Sequence, residues 1–338
     1  MNDIIPKNNN IHTLDDYKKE LDILRETGLQ KGAAVGFKQM HEHYSCKRGS
    51  TTYIIASPGA GKTSLVYEML INLAQFKGWR FAIFSPEAGS PRDLFAEILW
   101  AVLKMPFLKH DINNKHRRNA TDKEVERAFK FVSEHFFIID SGLREMNVER
   151  FYTSVDDIET EKGIKIDGLV IDPVLELNIN PNNLREDVAL NSFLTKVRKY
   201  SSEKDIHTFV AVHTRAMQLM TGANEDGEKM FYYGQPSFYD VAGGLNYSRK
   251  GMMIMSLWRP PQGLIKPDGS TYHSNETIVE ILKVKPKITG KLGKFSLFYD
   301  YWSSRYYEII NGEHYYAQDI EAIEAGKAKH LVQTNLPF

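Results

Sequence analysis

Ala56-Ser57-Pro58-Gly59-Ala60-Gly61-Lys62-Thr63-Ser64 follows the apolar run Tyr53-Ile54-Ile55 and opens an amphipathic run. That is the strand–loop–helix context of a phosphate-binding loop. Gly59 and Gly61 let the backbone turn tightly, so that several N–H groups converge on one phosphate. A helix starting near Lys62 adds the positive end of its dipole. Ser57, Pro58, Gly59, Ala60, Gly61, Lys62, Thr63 and Ser64 are therefore the expected nucleotide contacts. Lys62 would reach the β- and γ-phosphates of ATP, and the Thr63 hydroxyl would hold Mg²⁺. The first position of the motif is Ala56, where the strict pattern has Gly.

The bulk properties are those of an ordinary globular chain: 338 residues, 42% hydrophobic and 25% charged. Lys and Arg number 43 and so do Asp and Glu, which argues against a surface coated in basic charge. One cysteine, Cys46, gives no disulfide framework and fits a reducing cytoplasm. No apolar run approaches the ~18 residues of a membrane span, and the N-terminus lacks the pattern of a signal peptide.

Along the chain, residues 1–12 read as a loose tail. Residues 13–27 read as a helix, with Thr13 as cap and Leu14, Tyr17, Leu21 and Leu24 at 3,4,3 spacing. That stripe must be buried, against its own domain or a neighbouring subunit. His41-Glu42-His43-Tyr44-Ser45-Cys46 fits no zinc spacing and reads as a surface loop. Apolar strands at 81–84, 136–139, 168–171 and 208–212 alternate with helical runs near 64–76, 94–102, 122–134, 147–162 and 185–202. Such alternation predicts an α/β fold with a mostly parallel sheet covered on both faces. Residues 106–120, with Lys115-His116-Arg117-Arg118, read as a polar linker. The last third, at 252–257, 277–284, 295–299 and 306–310, reads as strands that extend the sheet in antiparallel fashion.

Hydrolysis of a bound triphosphate needs one carboxylate near the metal and one to orient water. Asp172 ends the strand 168–171, and Glu87 lies just past the strand 81–84. In a parallel sheet the carboxyl ends of the strands share one edge, so Lys62, Asp172 and Glu87 are expected to converge there. A further strand end presents His213, placed to sense a γ-phosphate.

In this order and spacing the motifs resemble the RecA-fold ring helicases of the DnaB type, in pattern nearest the Twinkle-like and phage replicative branch. Ala56–Ser64 resembles the Walker A loop. Gly78-Trp79-Arg80-Phe81-Ala82-Ile83-Phe84-Ser85-Pro86-Glu87 resembles the strand ending in the water-activating glutamate. Leu169-Val170-Ile171-Asp172-Pro173 resembles the Walker B strand, and Val212-His213-Thr214-Arg215 the sensor strand, where the family often has Pro at Thr214. Tyr239-Asp240-Val241-Ala242-Gly243-Gly244 resembles the start of the fourth motif, and Lys285-Pro286-Lys287 with Gly290 and Gly293 the basic hairpin.

The resemblance implies a RecA-like P-loop ATPase core and a homo-hexameric ring translocating on single-stranded DNA. It implies ATP between subunits, with Lys285 and Lys287 serving the neighbour's site, although relatives carry at least one Arg there. Many relatives also have Gln and acidic residues where this chain has Asn246-Tyr247-Ser248-Arg249-Lys250. Strand contacts are expected from loops 178–187, with Arg185, and 214–235, with Arg215 and Lys229; Arg249 and Lys250 can meet phosphate too. The expected layout is an N-terminal tail and linker helix over 1–29, the ATPase domain over 30–310 and a C-terminal tail over 311–338. Gln333, Leu336 and Phe338 in that tail resemble peptides that dock in sliding-clamp pockets, an expected replisome contact. The phage branch implies a phage-encoded protein acting in the host cytoplasm, with no membrane partner. Two other readings stay open: a RecA-like recombinase or DNA-binding ATPase without unwinding, and a nucleotide-controlled switch or loader.

Overall fold

The computed structural model describes residues 13–29, 31–106, 108, 118–142, 145–215 and 217–326. The expected tail at 1–12, Lys115, His116 and Arg117 of the linker, and Gln333, Leu336 and Phe338 lie outside them. The chain divides into two units, Met1–Lys31 and Gly32–Phe338.

In the first unit a 3₁₀ turn, Leu14–Tyr17, leads into helix α1, Lys18–Thr27. Thr13 caps the turn: its N–H and its hydroxyl both donate to Asp16 Oδ2, at 2.6 and 2.9 Å. Gly28 ends the helix at φ +71°, where a side chain would be strained.

The second unit opens with α2, Lys38–His43, and then β1, Thr51–Ala56. Next come α3 (Lys62–Lys77), β2 (Phe81–Phe84), α4 (Pro91–Leu103), α5 (Asp122–His135) and β3 (Phe136–Ile138). They are followed by α6 (Val148–Lys162), β4 (Gly168–Ile171), α7 (Glu186–Lys204) and β5 (His207–His213). A hairpin of β6 (Leu219–Ala223) and β7 (Lys229–Tyr233) and a short α8 (Gly244–Lys250) lead to β8 (Met253–Trp258). The chain then adds β9 (Glu276–Lys283), β10 (Gly293–Asp300), β11 (Arg305–Ile310), β12 (Glu313–Tyr316) and α9 (Ile320–Glu324).

The helix starts follow from capping chemistry. Ser90 and Asp93 form a capping box at α4, with Pro91 in the first turn. Thr121 and Glu124 form another at α5, and Asn147 caps α6 by accepting from the Arg150 N–H.

One sheet has the strand order β12-β11-β10-β9-β8-β1-β5-β4-β2-β3. From β8 to β3 it is parallel, and from β9 outward it is antiparallel. Both faces of the parallel half are buried, so its strands alternate between two cores. Ile54, Ala56, Ile83 and Val170 pack with apolar side chains of α3, α4 and α5. Tyr53, Ile55, Phe84, Leu169 and Ile171 pack with those of α6, α7 and α8. This double burial explains why the strands read as continuous apolar runs.

Several sequence expectations change. Residues 252–257 were expected to start the antiparallel extension, yet β8 pairs parallel with β1, from Thr52 with Met253 to Ala56 with Leu257. The crossover that permits this includes α8, which at seven residues is too short for a clear period. The expected surface loop at 41–46 is instead part of the core: His41, Tyr44 and Cys46 are buried, and Ala33 and Gly290 bridge to Cys46 and Tyr44. Within the span read as a C-terminal tail, residues 313–316 form β12 against β11 and residues 320–324 form α9.

Candidate active site

β1 sits between β8 and β5, all three parallel, so the loop after Ala56 opens on the shared carboxyl edge of the sheet. Gly59 takes φ +74°, and a Cβ there would meet open space; the strain of the turn, not crowding, selects glycine. Gly61 takes φ +87°, and a Cβ there would lie 2.6 Å from the Tyr306 hydroxyl. The Gly61 carbonyl starts α3 by accepting from the Leu65 N–H at 2.9 Å. The N–H groups of the first turn, which have no partner inside the helix, therefore open at this edge.

Lys62 is only 6% exposed. Burial pulls its ammonium below the ordinary lysine range, and the charges of Asp172 and Glu87 oppose that shift. Its Nζ lies 3.1 Å from His213 Nδ1, and His213 Nε2 lies 3.0 Å from Glu87 Oε2. An ammonium can only donate, so Nδ1 is the acceptor and Nε2 carries the proton given to Glu87. The result is a directed chain, Lys62 to His213 to Glu87, with the Glu87 carboxylate side 57% exposed.

Asp172 is 2% exposed and accepts from the Thr63 hydroxyl at 2.7 Å on Oδ2. Burial raises its carboxyl above the usual range, while Thr63 and Lys62 pull it down. Two hard oxygens so placed, one on a buried carboxylate that gains from a neighbouring cation, suit Mg²⁺. Among the described residues no group of three or more His, Cys, Asp or Glu could hold a metal alone. A metal here would need further oxygen ligands, as a nucleotide's phosphates provide.

The remaining expected contacts distribute unevenly. Ser57 Oγ donates to Met217 Sδ at 3.4 Å and lies 3.5 Å from Thr214 Oγ1, which ties the loop to the segment after β5. Pro58 and Gly59 are exposed at the lip, Ala60 is buried, and Ser64 lies beside the Tyr299 hydroxyl. Arg185 pairs with Asp187 at 2.9 Å before α7. Arg215 donates to the Tyr239 carbonyl at 3.0 Å, and Lys229 sits 5.0 Å from the Phe231 ring centroid on the β6–β7 hairpin. These three lie on the carboxyl-edge side: Arg215 follows β5, and α7 runs from that side to the start of β5.

Lys285 and Lys287 do not join this cluster. Lys283 pairs with Ile254 near the start of β8, whereas the phosphate loop leaves β1 beside Leu257 near its end. The two lysines therefore occupy the amino edge of the sheet. Arg249 and Lys250 lie there as well: the Lys283 ammonium reaches the Arg249 carbonyl at 3.4 Å, and Lys250 bonds Thr195 late in α7. The cations grouped by the sequence thus split between two edges.

Sequence reasoning passed over an aromatic flank beside the loop. Tyr306 donates to the Gly61 carbonyl at 3.4 Å, and Arg259 lies 5.6 Å over the Tyr301 ring. The signal was the aromatic run Tyr299–Tyr307, read only as strand. Among the described residues no helix is long and apolar enough to cross a membrane.

Comparison with known proteins adds three likenesses. A curated relative, the Twinkle homolog protein, chloroplastic/mitochondrial, of Arabidopsis thaliana, is 24% identical over 300 residues, 88% of this chain. The chain spans only about two-fifths (39%) of that relative's length. A solved DnaB-like replicative helicase, described with its interactions with primase, superposes with a TM-score of 0.63 at 15% identity, over 88% of this chain and 67% of its own. A second solved structure, an ATPase domain, superposes with a TM-score of 0.67 at 16% identity, over 89% of this chain and all of its own. No family model matches the chain. The fold is that of RecA-like helicase ATPase domains, and the resemblance to the DnaB type and its Twinkle-like branch is borne out.

Proposed function

We propose that this chain is the ATP-hydrolysing core of a replicative DNA helicase that moves on single-stranded DNA as a hexameric ring. The observation that carries this reading is the joint geometry at the carboxyl edge: Thr63 on Asp172, and Lys62 through His213 to Glu87. The fold shared with a DnaB-like helicase and with a second ATPase domain supports it, as does the likeness to a Twinkle homolog.

ATP binds with its phosphates on the backbone of residues 57–64, and Lys62 donates to the β- and γ-oxygens. Thr63 and Asp172 would hold Mg²⁺, which would neutralise phosphate charge when bound. Glu87 accepts the proton of the attacking water, a role worth about 10²–10⁴ in rate. His213 registers the occupant of the loop, since Lys62 and Glu87 both bond to its ring. Lys285 and Lys287 serve the next copy's site. Arg185, Arg215 and Lys229 contact the strand, and few cations per copy suffice when several copies share it. The helix within 13–29 docks on a neighbour, the motor runs from about residue 32 through β12 and α9, and the segment around Gln333, Leu336 and Phe338 meets a replisome partner.

The test is ATP hydrolysis by the full chain with and without single-stranded DNA, paired with unwinding of a forked duplex. Hydrolysis stimulated by the strand, with fork unwinding, is the expected result. Stimulation without unwinding would assign a recombinase-like ATPase instead. Hydrolysis that ignores DNA would assign a nucleotide-controlled switch.

A further inference from the structure

Arg249, Lys285 and Lys287 are exposed, and their side chains have no hydrogen-bond or ion-pair partner among the described residues. They sit on two segments tied together by one side chain. The Lys283 ammonium donates to the carbonyls of Ser248 and Arg249 at the end of α8, and Lys285 follows two residues later. Burial, and then the charge of Lys285, holds the Lys283 ammonium below its ordinary value.

The lysine-bearing loop is pinned from below. Ser45 Oγ donates to the Thr289 carbonyl at 2.8 Å, Lys291 N–H donates to the His43 carbonyl at 3.1 Å, and Tyr44 bridges Gly290. The approach is so close that a Cβ on Gly290 would fall 2.0 Å from the His43 carbonyl oxygen. Cations on a pinned loop lose little freedom when an anion arrives.

We propose that Arg249 is the guanidinium of a three-cation face, shared with Lys285 and Lys287, that one copy presents to the triphosphate bound by the next. This rests on the helicase reading above. It differs from the expectation that Arg249 meets DNA, because Arg185, Arg215 and Lys229 occupy the other edge of the sheet. In a closed head-to-tail ring one face of each copy meets a different face of the next. An amino edge carrying free cations can then meet a carboxyl edge carrying the phosphate loop. Lysines are point charges, whereas a guanidinium offers the planar fork that matches phosphate oxygens. Arg249 supplies the fork that Lys285 and Lys287 lack.

The test uses the full chain and reads hydrolysis without DNA. Arg249→Ala should lower kcat at least about tenfold with ATP KM little changed, less than the ~10³–10⁵ of a sole trans cation because three share the role. Arg249→Lys should recover part of the loss, which also shows that the position tolerates substitution. Arg249→Ala chains mixed with Lys62→Ala chains should hydrolyse ATP faster than the sum of the two alone, because intact loops then face intact cations. Unchanged basal hydrolysis overturns the proposal, whether or not affinity for single-stranded DNA falls. Loss of hydrolysis without rescue on mixing also overturns it. Failure of the helicase reading looks different: the wild-type chain would leave forked duplex unwound or hydrolyse ATP at a rate that ignores single-stranded DNA, neither of which the DNA-free mixing assay reads.

Discussion

The two edges of the central sheet carry opposite arrangements of charge. At the carboxyl edge Lys62, His213, Glu87, Thr63 and Asp172 bond to one another, and the key lysine and aspartate are buried. At the amino edge Arg249, Lys285 and Lys287 face outward without partners among the described residues. The difference teaches where each set finds its counter-charge. The first is preorganised within the chain, and any ligand must exchange with bonds already made. The second has no counter-charge among the described residues, and in the proposed ring a neighbour would bring it.

The strongest way to break this contrast is at Glu87. Glu87→Gln should bind ATP almost normally yet lose about 10²–10⁴ in turnover, because the amide still accepts from His213 but cannot take a proton. Filter binding alongside phosphate release checks it, and near-normal turnover would remove Glu87 from that role.

Next in size is the buried tie that holds the wired edge rigid. Arg305 donates to both Glu68 oxygens, at 2.6 and 2.7 Å, and to Asn72 Oδ1 at 2.6 Å, linking β11 to α3. Arg305→Ala strands the Glu68 carboxylate and should cost about 3–5 kcal/mol in urea unfolding. Arg305→Met paired with Glu68→Leu should cost far less, because neither charge is then left alone.

A third measurement concerns a buried group at the start of β5. His207 accepts from the Thr52 hydroxyl at 2.8 Å and donates from Nδ1 to the Lys47 carbonyl at 2.6 Å. Burial lowers its pKa to about 4 from an ordinary 6.5. The folded form therefore keeps it neutral while the unfolded chain takes up a proton below about pH 6.5. Its contribution is complete above that pH and is lost progressively as pH falls toward 4. The stability difference between wild type and His207→Gln should shrink by up to about 3 kcal/mol across this window. A flat difference in pH-dependent denaturant melts would refute it.

The smallest effect sharpens the contrast from the exposed side. Arg185 pairs with Asp187 in the open, so Arg185→Ala should change stability by less than about 0.5 kcal/mol. It should nevertheless flatten the salt dependence of single-stranded DNA binding by about one counterion, read from affinities across a salt series.

What was legible in the sequence follows the same division. Phe81–Phe84 and Gly168–Ile171 are buried on both faces, so their apolar runs and the acids beyond them stood out. Parallel pairing then carries Glu87, Asp172 and His213 to one edge, and the structure sets two of them within hydrogen-bond reach of each other. The β6–β7 hairpin was hidden because the span 214–235 read as a loop and its outer face leaves apolar side chains such as Phe231 and Tyr233 exposed. The location of Lys285 and Lys287 depends on long-range register, Ile254 opposite Lys283, which no local pattern encodes. The buried state of Tyr44 likewise depends on a bridge to distant Gly290.

β8 joins the two edges. Its Leu257 end lies beside Ala56 and the phosphate loop, and its Ile254 end lies beside Lys283 and the free cations, roughly 10 Å of strand apart at ~3.3 Å per residue. It is paired on both sides, parallel to β1 and antiparallel to β9, with a register shift between Ile254 and Met255. In the proposed ring, one continuous strand would therefore link the pocket that holds the fuel to the hand extended to the neighbour.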